Sequence, residues 1–367
     1  IKFYTDAHKR TDGLNVLERR AECNAYAIEN LTPVIKEHEP FVGSKTRFVR
    51  GAIPYCNYAS SYVLREFNKE EHEEQDKVTD LGTGGGIARS KEMASSGDYE
   101  FFAGKFLLEK HERNILKNCA TYWQGKCMQD VGDDLWKKDF AEADYIEKGW
   151  KAVLYTAPHD PAPEGRYVLD FETALSLGLR GIINRMKEKI SEAHITDYPS
   201  AEKVYFWRAG IRSLEGVIKW ANRYGEKAFE LAKTEKDERR KIELFKIAEI
   251  CKNVPEFPPH DFREAMQAFW FIYLAGHIEG AQLGYSPGRF DRYMYPYYKK
   301  DIDSKKITND VVLELLEALR VKMTEIEYVA SFSWEGLGSG NLYQNMILGG
   351  LNENGFRGDN ELSLLIL

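Results

Sequence analysis

A net positive charge, a CxxC pair and an apolar run of membrane length are all missing from this 367-residue chain. Its 51 Lys and Arg stand against 58 Asp and Glu, a formal net charge of −7, whereas a protein that tracks phosphates along a nucleic acid needs a clustered basic face. No nucleic-acid partner is expected, and small molecules or other proteins are. The five cysteines, Cys23, Cys56, Cys119, Cys127 and Cys251, are odd in number, widely spaced and form no CxxC pair. Neither a disulfide framework nor a zinc ribbon follows from them, and reduced thiols in a cytoplasmic protein are expected. The longest nearly unbroken apolar run, Ala265 to Ala275, is interrupted by Gln267 and is too short for the roughly 20 residues of a membrane span. It is expected to be a buried helix, with no membrane involved.

What the chain does have is globular composition, 43% hydrophobic and 30% charged, enough to bury a substantial core. Ile1-Lys2-Phe3-Tyr4 opens without a methionine, and Glu361 to Leu367 stops inside an apolar run with neither a Gly cap nor a Pro. A segment of a longer protein is the expectation. No internal repeat or domain linker stands out.

Apolar residues at 14, 17, 21, 25, 28 and 31 mark one helical stripe, and a longer one runs from Tyr205 to Ala232. The charged run 234 to 246 reads as the exposed continuation of that helix or a turn. After Pro258-Pro259, Asp261 and Glu264 have the spacing of a capping box that opens a helix over 262–279. A third helix is expected from Asn309 to Glu327, and a short strand and turn over Asn345 to Gly350. Residues 36–86 and 155–165 are rich in Gly or Pro and read as ordered loops, the kind that line sites.

Gly82 and Gly84 begin a GxGxxG, but Ile87 occupies its last glycine position, which argues against a dinucleotide fold; no P-loop string occurs. The eight histidines include no HExxH pair. His72 lies in an acidic run that reads as a solvated helix face. His277 and Glu279 form a polar couple that reads as structural more readily than as a site. His159, beside Asp160 in the proline-rich loop, is a pocket candidate.

Three longer strings discriminate further: Pro258 to Trp270, reading PPHDFREAMQAFW; Gly284 to Pro296, reading GYSPGRFDRYMYP; and Asn345 to Gly350, NMILGG, with Asn360-Glu-Leu362. In this order they resemble signatures of the pyruvate formate-lyase and glycyl radical enzyme superfamily. The resemblance extends upstream through Glu18-Arg-Arg-Ala21, Phe41-Val-Gly43 and Leu177 to Ile183, so it covers nearly the whole chain. It implies an α/β fold in which this chain is the N-terminal, mainly helical portion of a ten-stranded α/β barrel, all of 1–367 belonging to one domain and contributing the first barrel strand. Arg50-Gly51, Leu81 to Gly86 and Leu337-Gly-Ser-Gly-Asn341 resemble the arylacetate decarboxylases, which act on 4-hydroxyphenylacetate, indoleacetate or phenylacetate. By that resemblance Ser339 matches the position that contacts the arylacetate. A hydroxyl bonded to a carboxylate contributes roughly 1.5 to 3 kcal/mol. Trp334 and His159 are expected to line the same pocket; on its own, Ser339 between two glycines is also an ordinary turn residue.

The resemblance further implies a glycyl radical installed by an S-adenosylmethionine iron–sulfur activating enzyme, a homodimer in the full-length protein, and room for a small additional subunit. The family's thiyl cysteine sits in Gly-Cys-x-Glu and its radical glycine in Arg-Val-x-Gly-Tyr, and neither string occurs here. No catalytic residue and no metal ligand is therefore expected in the 367 residues. Alternatives to decarboxylation are a dehydratase or another C–O, C–N or C–S lyase of the superfamily, and a non-catalytic helical interaction protein. The chain alone, incubated anaerobically with an activase and S-adenosylmethionine, is expected to give no glycyl radical doublet by electron paramagnetic resonance. A doublet from these residues would sink that expectation.

Overall fold

The structure, a computed structural model, describes residues 1–49, 51, 53–58, 60, 64, 99–102, 106–151, 166–280, 284–326, 344–352 and 354–367. In chain order the described elements are α1 (Lys2–Arg10), α2 (Val16–Glu29), β1 (Tyr99–Phe102), β2 (Phe106–Glu109), α3 (Lys110–Trp123), α4 (Met128–Asp139), α5 (Ala143–Lys151), β3 (Arg166–Val168), α6 (Phe171–Ser191), α7 (Tyr198–Thr234), α8 (Glu238–Asn253), α9 (Phe262–Glu279), β4 (Gly284–Ser286), α10 (Phe290–Asp303), α11 (Asn309–Thr324) and α12 (Glu361–Ile366). Helix dominates, as the superfamily resemblance implies.

The expected buried helix is α9. Its apolar residues face every direction and nearly all are inaccessible, among them Phe262, Met266, Phe269, Trp270, Phe271, Tyr273 and Leu274. Gln267, the polar interruption, is buried because it imitates a strand neighbour. Its Oε1 accepts from Val42 N at 2.8 Å and its Nε2 donates to Val42 O at 2.7 Å, while Trp270 Nε1 donates to Gly43 O at 3.0 Å. The Phe41-Val-Gly43 string is thereby laid flat along α9. At the helix start Asp261 accepts from Glu264 N at 2.8 Å as expected, but the Glu264 carboxylate does not close the box. It accepts from His260 N at 2.7 Å and from Asn253 Nδ2 at 2.9 Å, which ties α9 to the end of α8.

The charged run after α7 corrects the sequence expectation. Only 235–237 break the helix; from there Asp237 caps a new helix, accepting from Arg239 N at 2.8 Å and Arg240 N at 3.0 Å, so most of the run is neither a turn nor a continuation of α7. That helix, α8, buries Leu244, Ile247, Ala248, Ile250 and Cys251 and keeps its charges on the other face. Arg240 turns inward enough to donate to the carbonyls of Glu39 at 2.9 Å and Lys36 at 3.0 Å. A second unforeseen feature is the kink in α6 at Gly178, φ 64°. It frees the amides of Leu179 and Arg180, which donate to the carbonyls of Pro255 and Glu256 at 2.9 Å each. A side chain at 178 would place its Cβ 2.5 Å from Glu256 O.

The strands are short. β1 and β2 form an antiparallel hairpin with Tyr99 opposite Glu109. β3 and β4 are parallel, with Arg166 opposite Gly284 and Val168 opposite Ser286. Gly288 and Met346 form an isolated parallel bridge, so where a short strand and turn were expected over Asn345 to Gly350 the structure has a single bridge followed by a glycine turn.

One buried ion pair holds the 36–43 segment down. Lys322 of α11 meets Glu39 at 2.7 Å, the two side chains 4% and 9% exposed, with the ammonium 5.3 Å from the Trp270 ring centroid. Glu39 also accepts from Lys36 N at 3.0 Å. Removing one partner of such a pair leaves an uncompensated buried charge, so Lys322→Met is expected to lower stability by about 3–5 kcal/mol. Adding Glu39→Gln should recover part of the loss; chemical denaturation of the two variants checks both statements, and a Lys322→Met protein as stable as the parent would refute them.

Candidate functional site

Parallel strands share a direction, so the chain enters β3, β4 and the Met346 segment from the same end of the sheet. Arg166, which opens β3, pairs with Gly284, which opens β4. On the other side of β4, Asn345 N donates to Ser286 Oγ at 3.2 Å and Ile347 N to Gly288 O at 2.8 Å. The segments that lead into β3 and into Gln344 are 152–165 and 327–343, which contain His159, Trp334 and Ser339. Those three residues lie outside the described residues, as do the Leu81 to Gly86 glycines and His72.

Against this sheet lies an aromatic cluster from α9. The His277 ring centroid is 4.7 Å from that of Tyr273 and 5.1 Å from that of Tyr285, both edge-on. His277 is 1% exposed, and neither ring nitrogen has a hydrogen-bond partner among the described residues. Burial, reinforced by the Lys45 ammonium, pushes its pKa well below the usual 6.5, so the imidazole is neutral at pH 7. The expected couple with Glu279 does not form. Two positions apart on a helix, the side chains diverge, and Glu279 is half-exposed, accepting from Asn24 Nδ2 at 3.1 Å and lying 3.6 Å from Arg20. The Tyr55 hydroxyl rests against the carbonyls of His277 and Ile278, at 3.0 and 2.9 Å.

The family-like strings around 289, 349 and 360 meet in one buried polar knot. Asp291 Oδ2 accepts from Gly349 N at 2.7 Å and from Ser363 Oγ at 2.6 Å, and Arg289 Nη2 donates to Gly349 O at 2.6 Å. Gly349 and Gly350 both have positive φ, 65° and 82°, the turn that the paired glycines permit. Asn360 caps α12, accepting from Ser363 N at 3.1 Å. Their role is to hold the Asn345 to Gly350 turn against α10, immediately after the segment that contains Ser339.

All five cysteines are free and buried. Burial pushes the Cys23 thiol up to about 11 and Cys56 up to about 12, and raises Cys251 as well, so these sulfurs stay protonated. Among the described residues no group of three or more His, Cys, Asp or Glu is placed to hold a metal, and no helix is long and apolar enough to cross a membrane. A half-open apolar cavity of about 270 Å³ lies between α1, α2, α6, α7 and α9, with Ile28, Ile182, Val217 and Ile272 in its walls. Sequence reasoning missed Tyr273 and Gln344 as parts of the sheet-end network; each reads as an ordinary core or loop residue until the fold brings them together.

The family model described as pyruvate formate lyase-like matches residues 1–367. The indoleacetate decarboxylase of Tractidigestivibacter scatoligenes is 32% identical over 369 residues, covering 99% of this chain and 41% of the relative. The 4-hydroxyphenylacetate decarboxylase glycyl radical subunit of Clostridioides difficile is 32% identical over 383 residues, covering 100% of this chain and 41% of the relative. A solved structure described as 1,2-propanediol dehydration in Roseburia inulinivorans superposes with a TM-score of 0.83 at 29% identity, covering 100% of this chain and 40% of that one. The chain spans well under half the length of each. With the mainly helical fold and the bonded knot of its signature strings, the match over every residue makes this chain a member of the pyruvate formate lyase-like family.

Proposed function

We propose that the full-length protein is a glycyl radical lyase that decarboxylates an arylacetate, and that residues 1–367 are part of its single pyruvate formate lyase-like domain. The observation that carries the substrate class is the 32% identity to two arylacetate decarboxylases across essentially the whole chain. The Leu337-Gly-Ser-Gly-Asn341 string adds to it. In the reaction the substrate's carboxylate leaves as carbon dioxide and the benzylic carbon gains a hydrogen. A cysteine thiyl, generated from a glycyl radical that an S-adenosylmethionine iron–sulfur activase installs, would supply the radical step. The motifs that carry both groups are not among these 367 residues.

The part assigned to this chain is substrate holding. Ser339 would donate its hydroxyl to the arylacetate carboxylate, and Trp334 and His159 would wall the pocket. What supports the reading is that β3, which follows His159 in sequence, and Met346, which follows Ser339, both neighbour the 284–288 stretch in parallel. A homodimer, with or without a small subunit, and a cytoplasmic location complete the reading. A second reading, dehydration of a small diol, is favoured by the structural likeness to the 1,2-propanediol dehydration structure. Product analysis separates the two: a methylarene and carbon dioxide for the first, an aldehyde and water for the second.

Ser339→Ala in the full-length protein is expected to lower kcat/KM for the arylacetate by about tenfold to a hundredfold, the equivalent of one hydrogen bond to a charge. Radical yield by electron paramagnetic resonance should not change. Kinetics within about twofold of the parent, a shift of only ~0.4 kcal/mol, would make Ser339 a turn residue and remove the main local support for the arylacetate.

A further inference from the structure

The half-open cavity of about 270 Å³ between α1, α2, α6, α7 and α9 is kept open by small residues: Ala25 of α2, Ala174 of α6, and Ala275 and Gly276 of α9 all line it. Gly276 shows how tight the packing is on one side, since a Cβ there would stand 3.1 Å from the Tyr285 ring and 3.3 Å from Leu169. Most of the remaining walls are aliphatic. An unfilled apolar cavity costs stability in proportion to its volume, and one of about 150 Å³ stays dry and takes up a benzene. A space roughly twice that size has room for a substituted ring or for two fused ones.

Charge and polarity narrow the occupant. Among the described walls no Lys, Arg or His side chain occurs, and the two that are exposed, and so stand at the mouth, are Asp170 and Glu279. Glu279 lies 3.6 Å from Arg20, and Asp170 caps α6, accepting from Thr173 N at 3.0 Å. A carboxylate entering here would pass two like charges and then lose its water with no cation inside to replace it. Asn57, another wall, has its Oδ1 buried with no hydrogen-bond partner among the described residues, an acceptor that a ligand's O–H or N–H can meet.

We propose that this cavity binds an uncharged aromatic molecule of one or two rings carrying one O–H or N–H donor. The ligand class rests on the cavity alone. Its place in the reaction rests on the arylacetate reading: there the substrate is an anion and the methylarene product is neutral, so the cavity takes the product and refuses the substrate.

The test uses the full-length protein and 4-methylphenol, neutral at pH 7 because a phenol titrates near about 10, in equilibrium dialysis. Val217→Phe and Ala275→Leu fill the space from two different helices, α7 and α9. The parent is expected to bind 4-methylphenol at a site that both variants weaken by about tenfold or more, because the added side chain takes the ligand's place. In the same variants kcat/KM for the arylacetate should stay within about twofold of the parent. 4-Hydroxyphenylacetate, which is charged, and 4-methylanisole, whose donor is capped, should compete for that site about tenfold more weakly than 4-methylphenol. Equal binding by parent and variants overturns the proposal, as it would if the rest of the full-length chain filled the cavity, and so does equal competition by either analogue. Should both variants fail to fold, crystals of the parent soaked in 4-methylphenol give the reading: density among Ile182, Val217 and Ile272 supports the site, and its absence overturns it. If the parent decarboxylates no arylacetate yet binds 4-methylphenol in this variant-sensitive way, the arylacetate reading falls and the site stands. If the parent decarboxylates an arylacetate while the variants bind 4-methylphenol as it does, the site falls and the arylacetate reading stands.

Discussion

A helix that is apolar on every side has to be covered on every side, and most of this structure is the cover for α9. Trp220 and Tyr224 of α7 lie edge-on or tilted against Phe271, Phe171 of α6 lies 4.8 Å from Phe269, and Phe290 of α10 lies 5.0 Å from Phe269. Segment 41–43 closes the remaining side through its backbone bonds to Gln267 and Trp270. The amide of Gln267, within the apolar run Ala265 to Ala275, matters because Val42 brings one backbone donor and one acceptor, and both are met. The ion pair Lys322–Glu39 then holds that segment from the far side.

The helices expected around 14–31, 205–232, 262–279 and 309–327 were legible because the residues that make them are local. Of the stripe expected over 14 to 31, Ala21, Ala25 and Ile28 are buried on α2 while Leu14 lies before the helix and is exposed; the face of Val312, Leu315, Leu316 and Leu319 is buried on α11 where the 3.6-residue period puts it, and the unbroken apolar run around Phe269 is the buried helix α9. The boundary that failed, between α7 and α8, turned on one capping residue, Asp237, hidden in a run of charges that looks the same whether it is turn or helix. The kink at Gly178 could not be read either. Its cause is an approach by Pro255 and Glu256, distant in sequence, to the amides the kink exposes.

The candidate site divides along the same line. Strings such as Gly288-Arg-Phe-Asp291 and Asn345 to Gly350 were visible as resemblances, and the structure supplies their physical reason: a buried carboxylate whose Oδ2 accepts from a glycine amide and a serine hydroxyl. Tyr273 and Gln344 carried no such mark. Their bonds cross between α9, α11 and β4, and no window of sequence contains both ends. His277 and Glu279 show the opposite error, in which closeness in sequence suggests a couple that helix geometry separates.

The parallel pairing of Arg166 with Gly284 has a consequence in time. α7 and α8 are consecutive and pack on one another through neighbouring stretches of chain, so they can close as soon as both exist. β3 must wait for α6 to α9 to be laid down before its partner arrives, because loop closure over such a separation is slow and parallel pairing rewards nothing until it is complete. Until then Tyr167 and Val168, which stay half-exposed even in the folded chain, present an unpaired edge. The helical shell therefore assembles first and the sheet end last, so the β3–β4 end of the molecule is the part whose formation rate is set by topology rather than by local propensity.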